Sequence, residues 1–530
     1  MSRARARVVA TVLSHLVADE AVRVKRSKRT AGEGQELDLQ LERARAVRQA
    51  FERLGPFYIK VGQILSTRPD FVPEAMIKEL ETLHDRIAPV PFSIFVPVLE
   101  AELGPDWPRY FSDIDTERPL GAASLAQVYR VTLTNGRPAV IKIQRPNIRP
   151  LVLGDMAMLR RCARFLAKRA PRFNAVVDVE AMIGLVFNAM ETELDFTVEA
   201  QYMEQARNAI KGFPTLSVPK VNFVTPSILV MGMAPGRSIR DVNRQDFTEK
   251  ERKAIGQELL TFMLRGYFTE RMFHADPHPG NIFVHPGEKA SIIDWGMVGH
   301  MDQRQSMTLV LTLLSLAQNN ALGLAKAWVE MGHATPWADI ARFTSDMEVF
   351  IPKIVNASLE ELNFGVSLTT VLKSSTKRGI RTSPMVALLG KSFANIEGSV
   401  RYLAPELAMT DVFLDELHNI MLDFATEILS EEQAAHTALE LMIGATYATE
   451  QIRGLLRDLS NRELTLHVVE SPQVATRGKS LHRILLGLGA LGLWLNHRQR
   501  AADRAVTSDL HGSIKAIAQT LTKFVGNNLD

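Results

Sequence analysis

The stretch Phe273–Val284, FHADPHPGNIFV, followed after a short turn by Ser291–Val298, SIIDWGMV, decides how this chain is read. Asp276 is followed five residues later by Asn281, and Asp294 ends an apolar run just before Trp295 and Gly296. Phosphoryl transfer needs these groups. A carboxylate must orient or deprotonate an acceptor hydroxyl or water, and the Mg²⁺ of a nucleotide takes oxygen ligands, here from an Asn and an Asp. The pattern assigns Asp276 to the acceptor side and Asn281 and Asp294 to Mg²⁺. His274 reads as structural, and His278 as a loop histidine bonded to backbone. A zinc site from His274, His278 and Asp276 has no further ligands to support it.

The chain upstream supplies the rest of a nucleotide cleft. Ala126–Leu133 and Ala139–Ile143 are β-rich, with Asn135-Gly136 between them as a hairpin turn. Helical pattern runs through Asp155–Leu166 and again from Val179 to about Asn208, followed by strands at Val218–Val224 and Ile228–Met233. After Gly236 the chain is mostly helical, apart from strands at Ile282–Val284 and Ile292–Ile293. This order predicts an α+β, two-lobed, protein-kinase-like fold with the nucleotide between the lobes. Lys142, in the run Ala139-Val140-Ile141-Lys142, is then the ligand of the α/β-phosphates rather than a snorkelling strand lysine. The predicted divisions are a basic helical segment 1–53, a helical extension 54–112, an N-lobe 113–233, a C-lobe 234–440, and C-terminal helices 441–530.

Taken together, the motifs resemble those of the UbiB-type atypical kinases, ADCK-like proteins linked to quinone lipid biosynthesis. The resemblance covers roughly Leu54 to His300. It rests on Lys60-Val61-Gly62-Gln63 (KxGQ), Gly121-Ala122-Ala123-Ser124 (an alanine-rich loop), Lys142, Glu193-Leu194-Asp195 (ExD) with Glu199, HADPHPGN, and a DWG in place of DFG. It implies a cleft covered by the KxGQ helix, with Lys60 meeting Glu193 and Asp195, and Lys142 meeting Glu199. Gln63 belongs to the same motif. Glu193 and Asp195 lie about 200° apart on an ideal helix, so sharing one lysine requires a local distortion. The resemblance further implies nucleotide contacts from Leu120, Gly121, Ala122, Ala123, Ser124, Val128, Lys142 and Glu199, with ATP and Mg²⁺ as cofactors. Gly121 departs from the alanine of many relatives, and Met231-Gly232 from the acidic residue often found at the interlobe hinge.

Composition narrows the partners. The 530 residues are 46% hydrophobic and 23% charged, ordinary globular values, and a net charge of +3 gives no argument for nucleic acid. Cys162 is the only cysteine, which excludes an intramolecular disulfide and suits a reducing compartment. The N-terminus carries Arg3, Arg5 and Arg7 but no long apolar signal core. Val9, Leu13 and Leu16 fall on one helical face, predicting a docking helix, with a membrane-surface helix as the second reading. Ile484–Leu495 is apolar, with basic flanks, but too short to span a bilayer. Its Gly487, Gly489 and Gly492 lack the βαβ context of a dinucleotide site, so a helix-packing segment is expected, with shallow insertion into an anionic membrane or pairing with a second copy left open.

These readings predict an ATP-dependent atypical kinase or ATPase, cytoplasmic and peripheral at the inner membrane, whose partners are a quinone-precursor lipid or quinone-biosynthesis proteins. A small-molecule phosphotransferase of the aminoglycoside or choline kinase kind shares the HxDxHPGN…IDW segment but not KxGQ, ExD or the alanine-rich loop. A pseudokinase scaffold has no chemical need to retain Lys142, Asp276, Asn281 and Asp294 together.

Overall fold

The computed structural model describes residues 33–83, 88–169, 171–355 and 364–428, with most of 5–20. Residues 441–530, and with them the apolar segment 484–495, lie outside the described residues.

The N-lobe is built on antiparallel strands β1 (Phe111–Ile114), β2 (Gly121–Ala122), β3 (Ala126–Leu133), β4 (Pro138–Gln144), β6 (Val221–Val224) and β7 (Ile228–Gly232). Their order is β1-β3-β4-β7-β6, with β2 paired to β3. The β3–β4 hairpin turns where Asn135-Gly136 predicts it, and Gly136 has φ +78, a conformation glycine adopts without penalty. Side chains alternate along β4. Ile141 and Ile143 are buried with Phe95 and Leu99 on one face, while Lys142 and Gln144 reach helices on the other. Strand β6 starts at Val221, later than the predicted Val218, because Pro219 has no N–H to give a ladder.

Three helices of the N-terminal extension lie over this lobe: α1 (Glu33–Leu54), α2 (Pro56–Ser66) and α3 (Glu74–Glu81). Helix α2 begins at the proline and stops short of Pro69, as the breakers require. Its Phe57, Tyr58, Val61 and Ile64 join a core with Val152 and Met156 of α4 (Ile148–Arg169) and Val186 and Met190 of α5 (Val179–Leu194). Gly62 lets α1 and α3 approach, since a Cβ there would be driven into Leu83 and would sit 2.8 Å from a Phe51 ring carbon. The N-terminal helix docks on this core through Val9 and on a second one, with Ala44, Val47 and Met76, through Leu16. Val9 and Leu16 are buried, and Arg5 Nε lies 3.1 Å from both carboxylate oxygens of the fully buried Asp155. Leu13 lies outside the described residues.

The helix expected from Val179 to about Asn208 is two helices, α5 and α6 (Phe196–Ala209). Asp195 interrupts them with φ −143° and ψ 97°, and its carboxylate accepts from Thr197 N at 3.0 Å and Thr197 Oγ1 at 2.6 Å. A short carboxylate satisfies an N-terminal N–H better than it suits a helix interior.

The C-lobe packs around α7 (Glu249–Phe268), with Trp295, Tyr267, Phe268 and Phe273 fully buried. A small sheet of β5 (Leu216–Ser217), β11 (Ala290–Ile292), β10 (Ile282–Val284) and β8 (Arg237–Ser238) lies next to the cleft, and β9 (Met272–His274) pairs with β12 (Val298–His300). Gly236, with φ +79, leads into β8 so closely that a Cβ would be driven into the Val284 carbonyl. Among the described residues no helix is long and apolar enough to cross a membrane.

Candidate active site

Strand β4 carries Lys142 to the floor of the cleft, where its Nζ lies 2.8 Å from Glu199 Oε2 on α6 and 3.7 Å from Asp294 Oδ1. Burial works against the ammonium charge, but Glu199, Asp294 and Glu193 outweigh it and hold Lys142 protonated well above the ordinary lysine range. Glu199 is 1% exposed, and among the described residues its Oε1 has no hydrogen-bond partner. Burial pushes its carboxyl up to about 7, although Lys142 pulls the other way.

The β10–β11 hairpin brings Asn281 and Asp294 together. Ile282 opposes Ile292, and Ile293 N donates to Asn281 O at 2.9 Å, so both residues leave the same end of the hairpin. Asn281 Nδ2 donates to Asp276 O at 3.1 Å, which leaves the amide oxygen to receive a cation. Asp294 has φ +59, a left-handed conformation, and its side chain is 51% exposed to the cleft. Its carboxyl sits below the usual range: burial opposes ionisation, but Lys142 and then Lys60 prevail. Two hard oxygen donors facing a polar cleft, with the unpartnered Glu199 Oε1 nearby through Lys142, fit Mg²⁺.

His274 is buried beneath this pair. Its Nδ1 accepts from Asp276 N at 3.1 Å, so Nε2 carries the proton and donates to Ile293 O at 3.1 Å. Burial lowers its pKa, which keeps the ring neutral as a brace between the catalytic loop and β11. Trp295 packs edge-on against it at 4.9 Å. His278 Nδ1 accepts from Gly280 N at 3.0 Å, the bland reading of a loop histidine.

The predicted nucleotide loop is a tight turn held by backbone. Leu120 N bonds Val128 O and Ala123 N bonds Ala126 O, both at 2.8 Å, and Arg145 Nε holds Ala123 O at 3.1 Å. Gly121 and Ala122 form β2 opposite Val128 and Gln127, so Leu120, Gly121, Ala122 and Val128 lie on one ladder. Ser124 is buried, while Leu120 is exposed. Gly121 has open space where a Cβ would stand.

Comparison with known proteins agrees with this geometry. Residues 82–328 match the ABC1 atypical kinase-like domain, and residues 347–408 match the UbiB helical domain. A probable protein kinase UbiB of Cellvibrio japonicus is 31% identical, covering 69% of this chain and 67% of its own. One from Pseudomonas fluorescens Pf-5 is 29% identical, covering 82% and 80%. The chain belongs to the UbiB family of atypical kinases. Among solved structures, the Rv3197–erythromycin complex from Mycobacterium tuberculosis is 22% identical, covering 65% of this chain and 90% of that one, with a TM-score of 0.45.

The UbiB motifs converge on the cleft except at Asp195 and Gln63. Lys60 Nζ of the KxGQ helix bonds Glu193 Oε1 at 2.9 Å, and the two side chains are only 10% and 14% exposed. Gly296 of the DWG lies against this pair, since a Cβ on it would stand 3.2 Å from Asp294 Oδ1 and 3.7 Å from Glu193 Oε1. Asp195, expected to share Lys60, instead uses its carboxylate to cap α6. The break at Asp195 is the distortion that turns Glu193 and Glu199 toward one cleft. Gln144 Nε2 holds it, donating to Glu193 O at 3.0 Å and Pro226 O at 3.1 Å. Gln63 Nε2 donates to Leu83 O at 3.3 Å, tying α2 to the end of α3 rather than to the cleft.

Helix α8 (Pro384–Leu403) supplies functional-site contacts that the sequence reading missed. Asn395 Nδ2 donates to Asp276 Oδ1 at 2.7 Å, and Lys391 Nζ lies 3.4 Å from the same oxygen. Ser392 Oγ donates to His274 O at 2.7 Å and Ser399 Oγ to Pro277 O at 2.9 Å. Burial opposes ionisation of Asp276, but Lys391 foremost, then His278, His274 and Lys60, hold its carboxyl below the usual range. A signal was present in the sequence. Lys391, Ser392, Asn395 and Ser399 form a polar stripe at helical spacing in a mostly apolar helix.

Proposed function

We propose that this UbiB-family kinase binds Mg-ATP between its lobes and supports ubiquinone-type quinone lipid biosynthesis at a membrane surface. The observation that carries the nucleotide reading is the junction at Lys142, 2.8 Å from Glu199 and 3.7 Å from Asp294. It couples a phosphate-binding lysine to a metal-binding carboxylate across the two lobes. Lys142 would bind the α/β-phosphates while Glu199 orients it. Asn281 and Asp294 would hold Mg²⁺, which when bound neutralises phosphate charge. Asp276, ionised and fixed by Asn395, would take the proton of an acceptor hydroxyl or water. The KxGQ helix, tied over the cleft by Lys60–Glu193, favours this reading over an open small-molecule phosphotransferase. The quinone role is carried over from the UbiB family, to which the relatives called probable protein kinase UbiB also belong.

The test is the quinone and quinone-precursor profile of the source cell with the gene disrupted, then complemented. Loss of quinone restored by wild type but not by Asp294→Asn is the expected result. An unchanged profile removes the quinone assignment. Equal rescue by both forms removes the need for metal-bound nucleotide and leaves a scaffold.

A further inference from the structure

A phosphoryl group in transfer carries charge on its equatorial oxygens, and positive groups must meet that charge from the acceptor side as well as from the nucleotide side. On the nucleotide side Lys142 is in place. On the acceptor side the catalytic loop has no basic residue of its own beyond histidine. Between Asp276 and Asn281 stand Pro277, His278, Pro279 and Gly280, and His278 Nδ1 is occupied by the Gly280 N–H. The cation nearest Asp276 comes instead from α8: Lys391 Nζ, 3.4 Å from Asp276 Oδ1.

The geometry points to Lys391 as a catalytic residue that contacts the γ-phosphate of bound ATP, with Asn395 one helical turn on as the positioning residue for Asp276. This rests on the Mg-ATP reading above. Three features of the site support it. Asn395 already satisfies Asp276 Oδ1 at 2.7 Å, so the looser Lys391 contact at 3.4 Å is not required to fix the carboxylate. Lys391 is 30% and Asp276 28% exposed, so the ammonium stands at the accessible edge of the cleft, able to turn its N–H groups to a ligand oxygen. The helix itself is locked to the loop by Ser392 and Ser399, which gives Lys391 a rigid base from which to reach. In the reaction the acceptor oxygen forms its bond to the γ-phosphorus as the bond to the ADP oxygen breaks. The acceptor proton passes to Asp276 Oδ2, while Lys391 keeps its proton and balances the charge on the phosphoryl oxygens.

A lysine that merely neutralised Asp276 would not distinguish ATP from ADP. The experiment therefore compares full-length wild type, Lys391→Ala, Lys391→Arg and Asp294→Asn by titration with ATP and ADP, each with and without Mg²⁺, and by ATP turnover, with thermal melting as a folding control. For Lys391→Ala the expected result is unchanged ADP affinity and melting, loss of about tenfold in preference for ATP over ADP, and about 100-fold slower turnover. Lys391→Arg should recover most of both, because the charge is retained. If Lys391→Ala keeps the wild-type ATP/ADP ratio and turnover while Asp294→Asn has lost turnover, the role of Lys391 is overturned and the kinase reading stands. If wild type binds neither nucleotide, the Mg-ATP reading fails and this role falls with it. If Lys391→Ala melts early, Lys391→Arg decides: a wild-type fold with a wild-type ATP/ADP ratio supports the role, and a wild-type fold with the ratio lost overturns it.

Discussion

Gly236→Ala should damage the junction between the lobes more than Gly287→Ala or Gly121→Ala. Gly236 has φ +79, where an L-residue costs about 1–2 kcal/mol. The added Cβ would also be driven into the Val284 carbonyl and stand 2.6 Å from its carbon and 2.8 Å from His285 Cβ. Two of those neighbours are backbone, which cannot rotate away, so overpacking adds about 1–3 kcal/mol. The sum is a loss of about 2–5 kcal/mol. Two other glycines separate the contributions. Gly287 has φ +77 with nothing within 4 Å of a Cβ, so Gly287→Ala should lose only about 1–2 kcal/mol. Gly121 has neither a positive φ nor a neighbour within 4 Å, so Gly121→Ala should stay within about 0.5 kcal/mol of wild type. Urea denaturation of the full-length proteins gives the three differences. The functional effect follows from register: Val284 pairs with Arg237 and Phe283 with Ser238, on the strand that leads out from Asn281. Gly236→Ala should therefore also weaken Mg-ADP binding relative to Gly287→Ala. Equal midpoints for Gly236→Ala and Gly287→Ala would refute the close approach of this turn to β10.

Other outcomes follow from the same geometry. Asn281→Ala and Asp294→Asn should each cut Mg²⁺-dependent ATP turnover by about 100-fold or more; Asp294→Asn, half exposed, should melt near wild type, while Asn281→Ala, which loses the bond from Nδ2 to Asp276 O, should lose about 1 kcal/mol, and unchanged turnover in either would remove that residue from the metal site. Glu193→Ala should destabilise the fold by roughly 3 kcal/mol by removing the carboxylate that meets the buried Lys60 ammonium at 2.9 Å, and adding Lys60→Met should recover part of that loss in denaturant titrations; simple additivity would show that the pair is not coupled. Because the folded-state value of Glu199, about 7, lies above its unfolded value, its contribution to stability is present in full below the unfolded value and is lost as pH rises through 7. Glu199→Gln should then flatten the fall in melting temperature between pH 4.5 and about 7 in nucleotide-free protein, and an unaltered slope would reject the buried, half-satisfied carboxylate.

Much of the cleft could be read along the chain because its residues lie on short elements that announce themselves locally. The β3–β4 hairpin needed only Asn135-Gly136 between alternating strands, and it delivered Lys142. Asn281 and Asp294 bracket one hairpin, so their nearness follows from β10–β11 pairing alone. The split at Asp195 was harder to see. Residues 179–208 carry an unbroken helical pattern, and the preference of Asp195 for a cap prevails only because Phe196 N and the Glu193 carbonyl find partners in Pro226 and Gln144.

The sequence by itself determined the two-lobed kinase plan, since motif order and strand alternation are local properties, and the family resemblance set Lys142 against Glu199 and Lys60 against the ExD carboxylates. Tertiary structure alone decided which carboxylate Lys60 meets, that Gln63 holds α3, and that α8 grips the catalytic loop. Lys391 and Asn395 stand 115 and 119 residues from Asp276 in sequence, the differences of their positions. No local periodicity records a contact across that distance. It exists because the apolar face of α8 buries Phe393, Ile396 and Val400 in the C-lobe core, and burial of that face turns the polar stripe onto the loop.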